Sequence, residues 1–76
     1  MNNKDRKEIQ KWIEKLEEIK SGIEDMQENE EEKLDNMPEG IQDSERGERM
    51  QQGIEDLESA VSSIEEAIDS LNDATE

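Results

Sequence analysis

Six consecutive residues near the middle of the chain, Ser44-Glu45-Arg46-Gly47-Glu48-Arg49, carry the side chains best suited to binding an anion. A hydroxyl, two guanidinium groups and a glycine stand where a helix is expected to begin, and free N–H groups and the helix dipole favour negative charge there. Arginine forks grip phosphate through paired hydrogen bonds, and glycine leaves space where a ligand or a second backbone comes close. Two residues outside this run extend the candidate site: Trp12, the one aromatic ring, for stacking on a base, and Asn36 for reading it. The expected ligand-binding set is Ser44, Arg46, Gly47, Arg49, Asn36 and Trp12. Plainer roles compete for each. The arginines can pair with the acidic run 30–32, Ser44 can be no more than an N-cap, and Trp12 falls on an apolar seam.

Other chemistries are excluded by composition. With no Cys and no His, disulfides, thiolate or imidazole metal sites, Cys nucleophiles and His acid–base catalysis are all absent. A single Trp with no Phe or Tyr rules out platforms of several stacked rings, and a formal charge of −15 repels nucleic acid and anionic membranes. Carboxylates are plentiful, but no calcium-loop spacing appears among them, so no specific metal site is expected. The phosphate-binding loop, the dinucleotide glycine pattern and the nucleophile elbow are likewise missing. Paired carboxylates would need a cleft to shift one pKa, which a pair of helices does not supply. The expectation is a protein without enzymatic activity or cofactor.

The elements that must position these residues are helical. Ile9, Trp12, Leu16, Ile19, Ile23 and Met26 follow a 3-4-3-4-3 spacing, with Ile13 widening the stripe; Met50, Ile54, Leu57, Val61, Ile64, Ile68 and Leu71 follow 4-3-4-3-4-3. Both are heptad seams, and Ala60 and Ala67 beside the second permit close helix approach. No stretch alternates with period two, so no sheet is expected. Between the seams Pro38 disfavours helix at Met37, Gly40 and Gly47 weaken it on either side, and Asp43 or Ser44 is suited to capping the second helix. The spacing predicts an all-α fold of one domain: an antiparallel two-helix hairpin, coiled-coil-like, with a helix over 5–33, a turn region over 34–43 and a helix over 44–73.

Charge is distributed unevenly along this hairpin. Residues 1–20 hold six of the nine basic residues, and nothing after Arg49 is basic. Antiparallel arms would set the basic start beside Glu65, Glu66, Asp69 and Asp73, and the acidic run 30–32 beside Arg46 and Arg49. A lone hairpin leaves one side of each seam wet, so a homo-oligomeric helical bundle, a dimer first, is expected, with Ile13, Ile41 and Ala60 placed to contribute. No window is apolar enough for a membrane span and MNNKDRKEIQ lacks a signal-peptide core, which predicts a cytoplasmic protein with no membrane partner.

Over residues 30–72 the chain resembles small acidic helical-hairpin proteins of phages and prophages of Gram-positive bacteria, most distinctively at Asp35-Asn36-Met37-Pro38-Glu39 and Ser44-Glu45-Arg46-Gly47-Glu48. The resemblance implies an anti-defence protein in the bacterial host's cytoplasm. Three readings then compete. A sponge would sequester a cyclic nucleotide or other phosphate-bearing immune signal in a helical oligomer through Ser44, Arg46 and Arg49. An acidic decoy would bind a host defence protein as a DNA mimic, without binding nucleic acid itself. A structural coiled coil would need neither. The first is preferred, because arginines and a glycine beside a turn are harder to assign to scaffold than acidic residues are.

Overall fold

Asn2 opens the first helix. Its side-chain oxygen accepts a hydrogen bond from the Asp5 N–H at 2.8 Å, which satisfies one of the free donors of the first turn. From this cap α1 runs over Asn3–Asp35 without a break in the computed structural model, which describes residues 1–76. Asp5 in its first turn and Lys33 in its last suit the macrodipole, but Lys4 and Arg6 at the start and Glu32 and Asp35 at the end oppose it. The helix stops at Asn36, whose N–H donates to the Glu32 carbonyl at 3.0 Å, while the Met37 N–H donates to the Leu34 carbonyl at 3.1 Å. Pro38, with φ −57° and ψ 146°, then starts a single helical turn, α2 (Glu39–Gln42). The third helix, α3, spans Glu45–Ala74 behind an N-cap at Ser44.

The two long helices lie side by side and antiparallel. Ile9 and Ile13 near the start of α1 pack with Ile68 near the end of α3, and Leu16, Ile64 and Leu71 close around them. Further along, Lys20 Nζ reaches Glu65 Oε1 at 3.5 Å and Gln27 Nε2 reaches Glu58 Oε1 at 3.2 Å. These contacts fix the level at which the arms pair. The result is all-helical and elongated, 58 × 15 × 12 Å, which is two helices wide and one helix thick. No helix is long and apolar enough to cross a membrane.

The α1 seam is turned from the sequence expectation. From Ile9 to Gln27 the half-buried and buried positions are Ile9, Ile13, Leu16, Lys20, Ile23 and Gln27, a 4-3-4-3-4 spacing that Glu30, Glu31 and Leu34 continue, and Ile13 is the most buried side chain at 2% exposure. Trp12, Ile19 and Met26 stand one position away and are about half exposed, at 50%, 53% and 52%. The apolar residues of α1 cover a stripe wider than one neighbour can bury, and Ile13, expected at its margin, lies at its centre. Contact with α3 selected the edge holding Ile9 and Ile13, even though this places Lys20 and Gln27 in the seam. On α3 the expected seam faces inward as predicted, with Ile54 and Ile68 buried. Ile41, on α2, is 42% exposed.

Candidate functional site

The turn end of the hairpin is built around Gly47. Glycine is required here by space, since an added Cβ would lie 2.6 Å from the Ile41 carbonyl oxygen and 2.5 Å from the Gln42 carbonyl carbon. The gap expected for a ligand or a second backbone is filled by backbone, that of α2. Around it the polar atoms are used locally. The Ser44 hydroxyl donates to the Ile41 carbonyl and accepts from the Gly47 N–H at 3.4 Å, while Gln42 Nε2 donates to the Met37 carbonyl at 2.9 Å. Ser44 is therefore an N-cap, Gly47 a packing position, and Asn36 the C-cap of α1.

The arginines are different. Arg46 and Arg49 both line an open groove of about 460 Å³ just beyond this turn, together with Glu30 and the apolar side chains of Met26, Met50 and Leu57. At Gly53, also in the lining, a Cβ would meet nothing within 4 Å, so the groove is open there. Arg49 Nη2 is paired with Glu45 Oε1 at 2.7 Å, within α3 and with both side chains largely exposed. Exposed pairs of this spacing contribute only about 0.3–0.5 kcal/mol, so an incoming anion would displace this one at little cost. Arg46 has no ion pair within 4.0 Å.

The expected pairing of the arginines with the acidic run 30–32 is not formed. Glu30 shares their groove but pairs with Lys33 at 3.0 Å, one helical turn away on its own helix, where two i, i+3 side chains meet without crossing between arms. The basic start of α1 likewise makes a single bridge to α3, from Lys20 to Glu65. Trp12 lies 14 residues from Met26 on the same helix, about 21 Å along the axis, and does not join the groove. The heptad pattern places Met50 and Leu57 in the seam without connecting them to the arginines. Met50 stands four residues after Arg46 and Leu57 eight after Arg49, and this helical spacing is the signal that links them, whereas Met26 enters through the tertiary pairing of the arms.

No cluster of three or more acidic side chains converges as a metal ion would require. The chain matches no known protein family, no curated protein and no solved structure.

Proposed function

We propose that this chain is a non-enzymatic anti-defence protein of phage type, working in the bacterial cytoplasm as a homo-oligomeric helical bundle that sequesters an anionic nucleotide signal. The observation that carries this reading is the groove, where two arginines uncommitted to strong pairs stand beside Met26, Met50 and Leu57. Apolar lining with a few convergent polar groups is the general form of a small-molecule site, and this lining suits a base held against methionine and leucine with phosphate on the guanidinium groups. In a chain of net charge −15, the groove lining carries two arginines against one carboxylate, Glu30, a local balance that favours a phosphate. The resemblance of residues 30–72 to phage hairpin proteins supports the setting.

Calorimetry with a panel of cyclic dinucleotides, cyclic oligonucleotides and adenine-ribose compounds tests it. A binding compound should lose at least tenfold in affinity in Arg46→Ala and in Arg49→Ala, because a charge-assisted hydrogen bond contributes about 1.5–3 kcal/mol. A panel with no binding to the wild type refutes the reading. One observation favours the decoy instead: one side of the hairpin carries Glu17, Glu24 and Glu31 on α1 and Glu58 and Glu65 on α3, five carboxylates with a single cation, Lys20, among them. Charge reversal there, abolishing capture of a host nucleic-acid-binding enzyme, would establish that second reading.

A further inference from the structure

The two sides of the hairpin differ sharply. On one side Gln27 bonds to both Glu31 and Glu58, and Glu17, Glu24 and Glu65 continue the same rows at seven-residue spacing. On the other side Met26 and Gly53 line one groove, and the rows through them run Trp12, Ile19, Met26 on α1 and Gly53, Ala60, Ala67, Ala74 on α3. One face is polar, with five carboxylates among Lys20, Gln27 and the amides that end its rows. The opposite face is apolar, bulky along one arm and small along the other.

We propose that this apolar face docks a second copy of the chain, face to face about a two-fold axis parallel to the helices, so that each α1 covers the partner's α3. Three features select that occupant. The first is shape. The pairing of Lys20 with Glu65 and Gln27 with Glu58 puts Ile19 level with Ala67, Met26 with Ala60 and Trp12 with Ala74. A parallel two-fold axis keeps these levels, so each bulky side chain of one copy meets a small one of the other, and the small row allows close approach. The second is charge. Residues 1–20 carry six bases against five acids, and the stretch after Arg49 carries no base, so the arrangement brings the base-rich start of one copy beside Glu65, Glu66, Asp69 and Asp73 of the other. The third is closure, because the acidic faces then point away from each other on the outside of a four-helix bundle and repel further copies. Association ends at two.

The thinness of the hairpin agrees with this. Only Ile9, Ile13, Ile54 and Ile68 are buried apolar residues in a 76-residue chain, while three large side chains at seven-residue spacing remain half exposed. A two-layer bundle gives them a covered position.

The inference is independent of any nucleotide, and its experiment is done without one. Trp12 is the sole fluorophore of its kind and lies on the proposed interface, so it reports docking directly. Sedimentation equilibrium at micromolar concentration should give twice 8.8 kDa. On dilution, Trp12 emission should shift to the red and its quenching by acrylamide should rise severalfold as the dimer dissociates. Ala67→Lys, on an exposed position of the small row, should leave the helical circular dichroism of the hairpin in place while raising the dimer dissociation constant at least tenfold. Ile19→Ser on the bulky row is a second route to the same loss. By contrast, Glu24→Lys on the acidic face should leave the dimer in place. A helical species of 8.8 kDa across the concentration range, a stable species larger than two chains, or dimerisation unaffected by both Ala67→Lys and Ile19→Ser would overturn the inference. Failure of nucleotide binding in a protein that still dimerises would leave it standing and remove only the sponge.

Discussion

Replacing Gly47 by Ala and Gly22 by Ala is the same chemical change on two helices, and the structure assigns the two substitutions different signs. At Gly22 an added Cβ meets nothing within 4 Å, so alanine gains helix propensity and reduces the freedom of the unfolded chain, together about 0.5–1 kcal/mol. At Gly47 the same Cβ would stand 2.6 Å from the Ile41 carbonyl oxygen and closer still to the Gln42 carbonyl oxygen, whereas ordinary contact begins at 3.4 Å, so α2 would have to move by more than 0.8 Å. The obstacle is backbone, which cannot swing aside as a side chain would. Overpacking of this kind costs about 1–3 kcal/mol, and displacing α2 also strains the Ser44 cap that bridges Ile41 and Gly47. Propensity gains are common to both variants and cancel in their comparison. The difference between them therefore measures the clash.

Thermal melts followed by circular dichroism, at one fixed protein concentration because association shifts the midpoint, supply the comparison. For a domain of this size about 1 kcal/mol moves Tm by roughly 4–8 °C, so Gly22→Ala should melt above the wild type and Gly47→Ala at least about 4 °C below Gly22→Ala. Equal increases in both would mean that α2 does not press on α3. The account of Gly47 as a packing residue would then fail, and its removal of a side chain beside the arginines would again be open to a ligand.

Packing and charge set two further outcomes. Ile13→Ala should cost about 2–5 kcal/mol in urea unfolding, against about 0.2–1 kcal/mol for Lys20→Ala, because Ile13 is the most buried side chain and the Lys20–Glu65 bridge is long and solvated; comparable losses would show that the seam is misplaced. Tm should rise between low salt and about 0.5 M salt, since a net charge of −15 with one bridge between the arms leaves repulsion dominant, and a monotonic fall would show that the cations of α1 are paired more extensively.

The helices were legible because heptads and breakers are local signals. The expected 5–33 and 44–73 differ from the observed Asn3–Asp35 and Glu45–Ala74 by one or two residues at each end, and Pro38 and Ser44 mark the turn as their chemistry suggests. Which edge of an apolar stripe faces inward is not a local property. Trp12, Ile19 and Met26 form as good a seam with Leu16 and Ile23 as Ile13 does, and only the position of α3 decides among them. In the turn region, the hydroxyl and the glycine proved to serve the turn itself, because an N-cap and a close backbone crossing demand the same residue types as an anion site. Arginine is not demanded by either, and Arg46 and Arg49 are the two members of the expected set that the fold leaves facing a groove.

That groove and the apolar face are continuous, and this connects the two proposals physically. Met26 belongs to the bulky row and Gly53 to the small row, so a docked partner would roof the apolar lining while the arginines, beyond the last small residue, stay at the rim. A parallel two-fold axis would place both turns at the same end of the bundle, with the arginines of the two copies on diagonally opposite α3 helices at that end. Four guanidinium groups at one end repel, and the Glu45 partner of Arg49 and Glu30 within the groove offset that repulsion only weakly through solvent. A phosphate-bearing ligand between the copies would offset it far more effectively. A ligand that spanned both copies and the dimer itself would stabilise each other by the same factor, since a coupling free energy is reciprocal. Trp12, about 21 Å from the groove along α1, would contribute to that affinity only through the dimer.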